Sequence, residues 1–281
     1  MSKNKRLTNK ILYHGLVLFF GFLMVYPVLW MVSGSLKTNV EIATGSLSLI
    51  PNYWRWDNFS TGWRGFGGIG FETFFMNSLF IATVSTIGTV VSSSLVAYAF
   101  SRIQFRGRKL WFSIMLGTMM IPGQVIMIPQ FIIFHRLGLV GSYVPLILPA
   151  FFGHAFFIFL MMQFMVSIPK ELDEAAIIDG CNKYTVFTRI IFPLLKPALI
   201  TSAIIQFYWA WDDFLGPLIY ITDPNRYTVS LALRMFADTA SVTDFGAMFA
   251  MSTLSLLPVF IMFLIFNKQL VEGINTSGIK G

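Results

Sequence analysis

The sequence predicts an all-α membrane protein with six transmembrane helices. Only 12% of its 281 residues are charged and 56% are hydrophobic, whereas a soluble domain of this length carries about twice that charge. Thirty Phe and fifteen Met make more apolar bulk than a soluble core conceals. Uncharged runs longer than the ~20 residues that cross a bilayer recur along the chain.

Residues 1–10 form a short N-terminal segment. The first span, 11–35, has an apolar stretch too long for a signal-peptide core and no small-residue cleavage site close behind it, so it reads as a retained anchor. The second, 74–101, holds Gly88 and Ser92 at small-xxx-small spacing, with Ser93, Ser94, Ala97 and Ala99 nearby. That spacing lets helices approach closely. The third, 110–134, contains Pro122 and Pro129. The fourth, 144–167, is uncharged throughout. The fifth, 194–221, contains Pro217, and the sixth, 246–267, contains Pro258. Each proline frees backbone groups that only a neighbouring helix or a cavity can satisfy in lipid. Residues 74–267 thus read as one transmembrane domain, followed by a tail, 268–281.

Charge orients the bundle. The formal net charge is +7, but the bases lie in short loops between apolar spans rather than on one soluble face, so they give no sign of nucleic-acid binding. Fourteen bases lie on one side: Lys3, Lys5, Arg6, Lys10, Arg102, Arg106, Arg108, Lys109, Lys170, Lys183, Arg189, Lys196, Lys268 and Lys280. Six lie on the other: Lys37, Arg55, Arg64, Arg136, Arg226 and Arg234. The richer side is expected to be cytoplasmic, which puts both termini inside the cell. The loops 37–73 and 222–245 then face outward, with Trp54, Trp56, Trp63 and Tyr227.

Several chemistries lack their residues. The single Cys, Cys181, excludes an intrachain disulfide. His14, His135 and His154 lack metal-ligand spacing, so no metal site is expected. Ser92, Ser93 and Ser94 have no His or acid at triad-like positions, and no catalytic residue is assigned. No Gly-x-x-x-x-Gly-Lys-Ser/Thr loop is present to cradle a nucleotide phosphate. No internal repeat stands out, which weakens an inverted-repeat transporter.

The segment 168–193 is a polar island between apolar spans. Pro169 followed by Glu171, Asp173 and Glu174 marks a helix start, because first-turn acids complement the helix dipole. Gly180 supplies a stop. Asn182 caps a second short helix, Lys183 to Ile191, which Pro193 is expected to close. Ala175 and Ala176 offer almost no side chain, so another protein's surface can come close, and Glu174 and Asp179 add charge at the edge. An amphipathic interfacial linker is the alternative on physical grounds alone.

This pattern resembles the EAA loop of bacterial ABC importer permeases: Glu-Ala-Ala, three residues, Gly, nine residues, then Ile-x-Leu-Pro. The chain matches at Glu174, Ala175, Ala176, Gly180, Ile190 and Pro193, with Phe192 in the Leu place. Asp179 and Pro197 also fit the sugar-importer form. Trp211-Asp212-Asp213-Phe214-Leu215-Gly216-Pro217-Leu218 is similar to a run in the fifth helix of maltose-type permeases, with Asp212 where Asn is usual. The ending Gly278-Ile279-Lys280-Gly281 is similar to theirs. The resemblance covers nearly the whole chain and implies the type I ABC importer permease fold, as in the second permease subunit of a maltose-type system. It implies that Glu174, Ala175, Ala176, Asp179 and Gly180 couple to an ATPase. It further implies a homologous permease in a heterodimer, two ATPase subunits that bind ATP and Mg, an extracellular solute-binding protein, a carbohydrate substrate and a bacterial inner or plasma membrane. The tail from Asn275 to Gly281 would reach between the ATPase subunits.

Asp212 and Asp213 are the acids placed inside a predicted span, and intramembrane acids point to function. They lie ~24 Å along the helix from Pro197 at 1.5 Å per residue. Neighbours on a helix point ~100° apart, so at most one faces a pore squarely. Gln206 can exchange hydrogen bonds with hydroxyls, and Tyr208, Trp209 and Trp211 can stack on sugar rings, or else form an interfacial belt. Import of glycerol phosphate or another polyol ester stays open, as does an ATP-independent transporter.

Overall fold

The computed structural model describes residues 3–45, 47–236 and 244–275. Among them every regular element is helical. In chain order these are α1 (Lys3–Gly34), α2 (Asn39–Ala43), α3 (Asp57–Trp63), α4 (Phe71–Arg102), α5 (Arg108–Thr118), α6 (Gly123–Arg136) and α7 (Val144–Ile147). A 3₁₀ turn, Leu148–Phe152, leads to α8 (Ala155–Val166) and α9 (Glu171–Ile178). Then come α10 (Lys183–Val186), a π-helical turn Phe187–Ile191, α11 (Phe192–Leu194), α12 (Lys196–Asp212) and α13 (Leu215–Tyr220). A 3₁₀ turn, Pro224–Arg226, precedes α14 (Val229–Phe236), α15 (Phe245–Ser255) and α16 (Leu257–Asn275).

Four stretches are long and apolar enough to cross a membrane: Leu12–Gly34, Phe71–Arg102, Val144–Val166 and Phe245–Phe266. Counting each of two bent pairs as one span gives six. Four of the six spans expected from the sequence are not continuous helices. The third breaks between α5 and α6 with a bend of 99°. Pro122 sits there with ψ 133°, so the chain turns before α6 starts, while Pro129 is carried inside α6. The fourth is interrupted by the 3₁₀ turn and by Gly153 at φ +80°. The fifth bends by 75° at Leu195 and breaks again at Asp213, whose ψ of 119° is extended. The sixth breaks at Leu256, ahead of Pro258. Pro193 does not close the second loop helix; it lies inside α11, after the π turn.

The described chain forms two compact units. One comprises Met1–Phe71 with Leu233–Leu257. Here α15 packs on α3 and α1 through small residues: a Cβ on Gly34 would touch the Phe249 ring, and one on Gly62 would meet Met251. Asn58 Nδ2 donates to the carbonyls of Ser35 and Lys37 at 2.9 and 2.8 Å. Much of α1 presents exposed Leu, Val and Phe, as expected of a lipid-facing helix.

The other unit, Glu72–Ala232 with Pro258–Gly281, carries the site. Its core joins Ala97, Tyr98 and Phe100 of α4, Ile158, Met161 and Met165 of α8, and Ala176, Val186, Phe187, Ile191 and Leu195 of the loop region. The loop is thus part of the core at one end of α4 and α8.

Candidate functional site

Two features of this unit hold nearly all the residues singled out in the sequence. The first is the loop. α9 opens with Glu171, Asp173 and Glu174 where the helix dipole favours anions. It closes in a Schellman arrangement: Gly180 N donates to Ile177 O at 3.0 Å and Cys181 N to Ala176 O at 2.9 Å. Gly180 has φ +83°, the left-handed conformation that favours glycine. Asn182 Oδ1 accepts from Thr185 N at 2.8 Å, capping α10.

Glu174, Ala175, Asp179 and Gly180 are exposed. Ala176 is not: it is 6% exposed and lies in the core cluster. Its small size lets α9 settle on the bundle; it does not open a surface to another protein. Ile177, Ile178 and Tyr184, outside the matched motif positions, are 54%, 85% and 72% exposed. An Ile followed by an Ile on a short polar loop was the available signal, since exposed large apolar side chains gathered in one place mark contact surfaces.

Beneath α9 lies an ion pair. Arg102 Nε is 2.9 Å from Asp173 Oδ2, with both side chains largely buried. Arg102 Nη2 also donates to the carbonyls of Ile168 at 2.7 Å and Met165 at 3.3 Å. Burial lifts the Asp173 carboxyl above the ordinary carboxylate range; Arg102 draws it partly back.

The second feature is a cleft of about 580 Å³ beside the middle of α4, the start of α8 and the end of α12, within the range of small-molecule sites. It is lined by Ile81 and Ser85 of α4, Leu146, His154, and the run from Gln206 through Trp209, Asp212 and Asp213 to Pro217. Trp209 sits among aromatic rings, 5.2 Å from Phe157, 5.5 Å from Phe156 and 5.7 Å from His154. Trp211 does not line it. That ring is buried, stacked on Phe207 at 5.9 Å and edge-on to Phe75 at 5.3 Å.

The two acids divide the work. Asp213 Oδ1 accepts from Gly216 N at 3.1 Å, and its backbone carbonyl accepts from Ser230 Oγ at 2.6 Å. It bridges the break between α12 and α13. Asp212 is exposed and makes no hydrogen bond or ion pair among the described residues. The serines of α4 serve the other break. Ser92 Oγ accepts from Gly153 N at 3.1 Å, with its single proton in reach of Gly88 O at 2.7 Å and Ala150 O at 3.1 Å, and Ser93 Oγ accepts from His154 N at 3.1 Å. Gly88 packs beside them, since a Cβ there would collide with Phe151 at 2.7 Å. Broken helices at membrane depth that line a cavity and have their freed groups satisfied by side chains are how such breaks survive in lipid.

A family model described as the inner membrane component of binding-protein-dependent transport systems matches residues 88–275. The chain belongs to that family. Relatives of this permease include a probable ABC transporter permease protein, YurM, of Bacillus subtilis, 38% identical over 92% of this chain and 84% of that one. The arabinooligosaccharides transport system permease protein AraQ of Halalkalibacterium halodurans is 32% identical over 99% of this chain and all of that one. The trehalose/maltose transport system permease protein MalG of Thermococcus litoralis is 32% identical over 92% of both. The fold is shared with a chain of the bacterial ABC transporter involved in the import of the acidic polysaccharide alginate. Its TM-score is 0.84, with 22% identity over 95% of the permease and 98% of that chain. The permease is a multi-pass membrane protein and a transport component, not itself an enzyme. The matched segment spans the loop and the cleft except for Ile81 and Ser85. The tail residues Gly278 to Gly281 lie outside the described residues.

Proposed function

We propose that this permease is one half of a heterodimeric pore in the bacterial cell membrane that imports a sugar or oligosaccharide, driven by two ATPase subunits and fed by an extracellular binding protein. The carrying observation is the loop. It is closed at Gly180 and presents Glu174, Ala175, Ile177, Ile178 and Asp179 together on a helix rooted in the core. Each ATPase subunit receives such a loop. ATP and its Mg ion stay on the ATPase, and this chain supplies only the surface that the ATPase moves. The excess of bases on the loop side supports a cytoplasmic loop and cytoplasmic termini.

The cleft supports a neutral carbohydrate. It combines an aromatic face at Trp209, an amide at Gln206 and a carboxylate at Asp212 with no Lys or Arg in its lining. Sugars present apolar ring faces to the first and hydroxyls to the others. A polyol phosphate would meet like charge.

The test reconstitutes the permease with its partner permease, ATPase and binding protein in proteoliposomes. Uptake of radiolabelled arabinotriose, trehalose, maltose, lactose and glycerol 3-phosphate is then measured with and without ATP. ATP-dependent accumulation of one of the four sugars is expected. Accumulation of glycerol 3-phosphate alone overturns the carbohydrate reading, and uptake independent of ATP overturns the importer.

A further inference from the structure

Three helical routes run from the loop to the cleft. α4 reaches it at Ser85, about 25 Å from Arg102 at 1.5 Å per residue, without a break. α8 begins at the cleft beside His154 and ends at Val166, again unbroken. The third route, from α10 through the π turn and α11 into α12, is bent by 75°. Pro193 and Pro197 flank that bend and remove two backbone donors.

The two unbroken routes meet at one side chain. Arg102 is the last residue of α4. Its Nη2 holds the Met165 and Ile168 carbonyls at the end of α8, and its Nε faces Asp173 in the first turn of α9. One turn back on the same face of α4, Tyr98 donates to Lys183 O of α10 at 3.2 Å. Through Nη2 the planar guanidinium fixes direction as well as distance at the end of α8, which an ammonium cannot, while Nε makes no hydrogen bond and meets Asp173 as a charge at 2.9 Å.

We propose that Arg102, paired with Asp173, is the positioning residue that transmits displacement of the loop to the cleft. A load on α9 passes through the ion pair into α4 and α8 together. Without the pair, the loop keeps its apolar seat at Ala176 and the Tyr98–Lys183 hydrogen bond but loses its charged tie to the ends of α4 and α8, and less of its motion reaches the cleft. This rests on the importer reading above, because it assigns that importer its mechanical joint.

The experiment compares Arg102→Gln, Asp173→Asn, Arg102→Lys and Asp173→Glu with the wild-type complex in proteoliposomes. The substrate is whichever of arabinotriose, trehalose, maltose or lactose the wild type accumulates. Co-purification of the partner subunits, ATP hydrolysis and uptake are read on the same samples. Arg102→Gln and Asp173→Asn are expected to assemble and hydrolyse ATP at the wild-type rate while moving at least tenfold fewer sugars per ATP. Asp173→Glu keeps a carboxylate within reach and restores most of the ratio. Arg102→Lys keeps the charge, loses the second donor arm and falls between. Asp173→Asn is isosteric and decides the matter if Arg102→Gln fails to assemble. A wild-type ratio of sugar to ATP in Asp173→Asn overturns the proposal, and so does a parallel fall of both rates. If wild-type uptake is independent of ATP, the importer reading fails, and the proposal with it.

Discussion

Replacing Gly180 by Val tests whether the loop acts through its shape. Gly180 sits at φ +83° with nothing within 4 Å of where a Cβ would stand. A new side chain therefore meets no neighbour, and the whole penalty is the backbone's. Holding a non-glycine residue in the left-handed region costs about 1–2 kcal/mol, and a β-branched residue stands at the upper end. That is a factor of roughly 5–30 in the ratio of native to distorted turn. It is too little to unfold the helices around it, and it is concentrated where Cys181 N reaches Ala176 O. The expected result is a complex that assembles normally but takes up sugar roughly 5–30 times more slowly. Gly180→Asn should keep most of the uptake, because Asn tolerates this conformation better. Uptake and subunit co-purification are measured together. Wild-type transport by Gly180→Val would refute the claim that this turn's geometry matters.

Cysteines placed at Glu174 or Ile178 should crosslink to an ATPase subunit with a yield that changes on adding nucleotide; no crosslink in native membranes counts against docking there. Asp212→Asn should be mild, and Asp212→Leu should cut uptake about tenfold or more with assembly intact, since this acid has no partner of its own to strand; normal uptake by the Leu variant would make Asp212 a bystander. Acidification should lower the sugar moved per ATP as pH falls through the raised Asp173 value, set chiefly by burial with Glu174 adding and Arg102 and Lys170 opposing. Because the folded value lies above the ordinary one of about 3.9, this group's contribution to folding is fully present below that ordinary value and is lost as pH rises through the folded one. Acid thus favours the fold at Asp173 while it dissolves the ion pair, so assembly should hold as coupling falls. A matching pH profile in Asp173→Asn would show that another group is responsible.

What the sequence revealed followed the range of the interactions involved. The Asn182 cap and the Gly180 stop lie within a turn of the residues they serve, and both stand where the local pattern put them. The membrane spans follow from hydropathy alone. Their breaks do not, because a proline permits a bend without saying whether the chain takes it. Pro129 stays inside α6, whereas Pro122 marks a 99° turn. The inward face of Ala176 and the division of labour between Asp212 and Asp213 depend on what packs against them. Arg102 read as one of fourteen orienting bases because its partner lies 71 positions along the chain.

The breaks themselves bear on how the cleft can work. A polar backbone group left unmade in a buried site costs about 1–3 kcal/mol, so an interrupted helix in lipid persists only with dedicated partners. Both breaks beside the cleft have them: Ser92 and Ser93 for the chain at Ala150–His154, and Asp213 for the start of α13. These partners occupy the polar atoms of three side chains on the bundle's interior. A packing role alone would not require them, since two continuous helices would leave nothing to satisfy. The breaks become intelligible if the cleft wall must be irregular, turning His154 and Asp212 toward the opening while the segments beyond stay helical. The helices that continue from this wall to the loop, α4 and α8, are the unbroken ones. Along α4 and α8 the path from cleft to loop is regular, whereas the path through α12 carries a break at the cleft and a 75° bend at the loop.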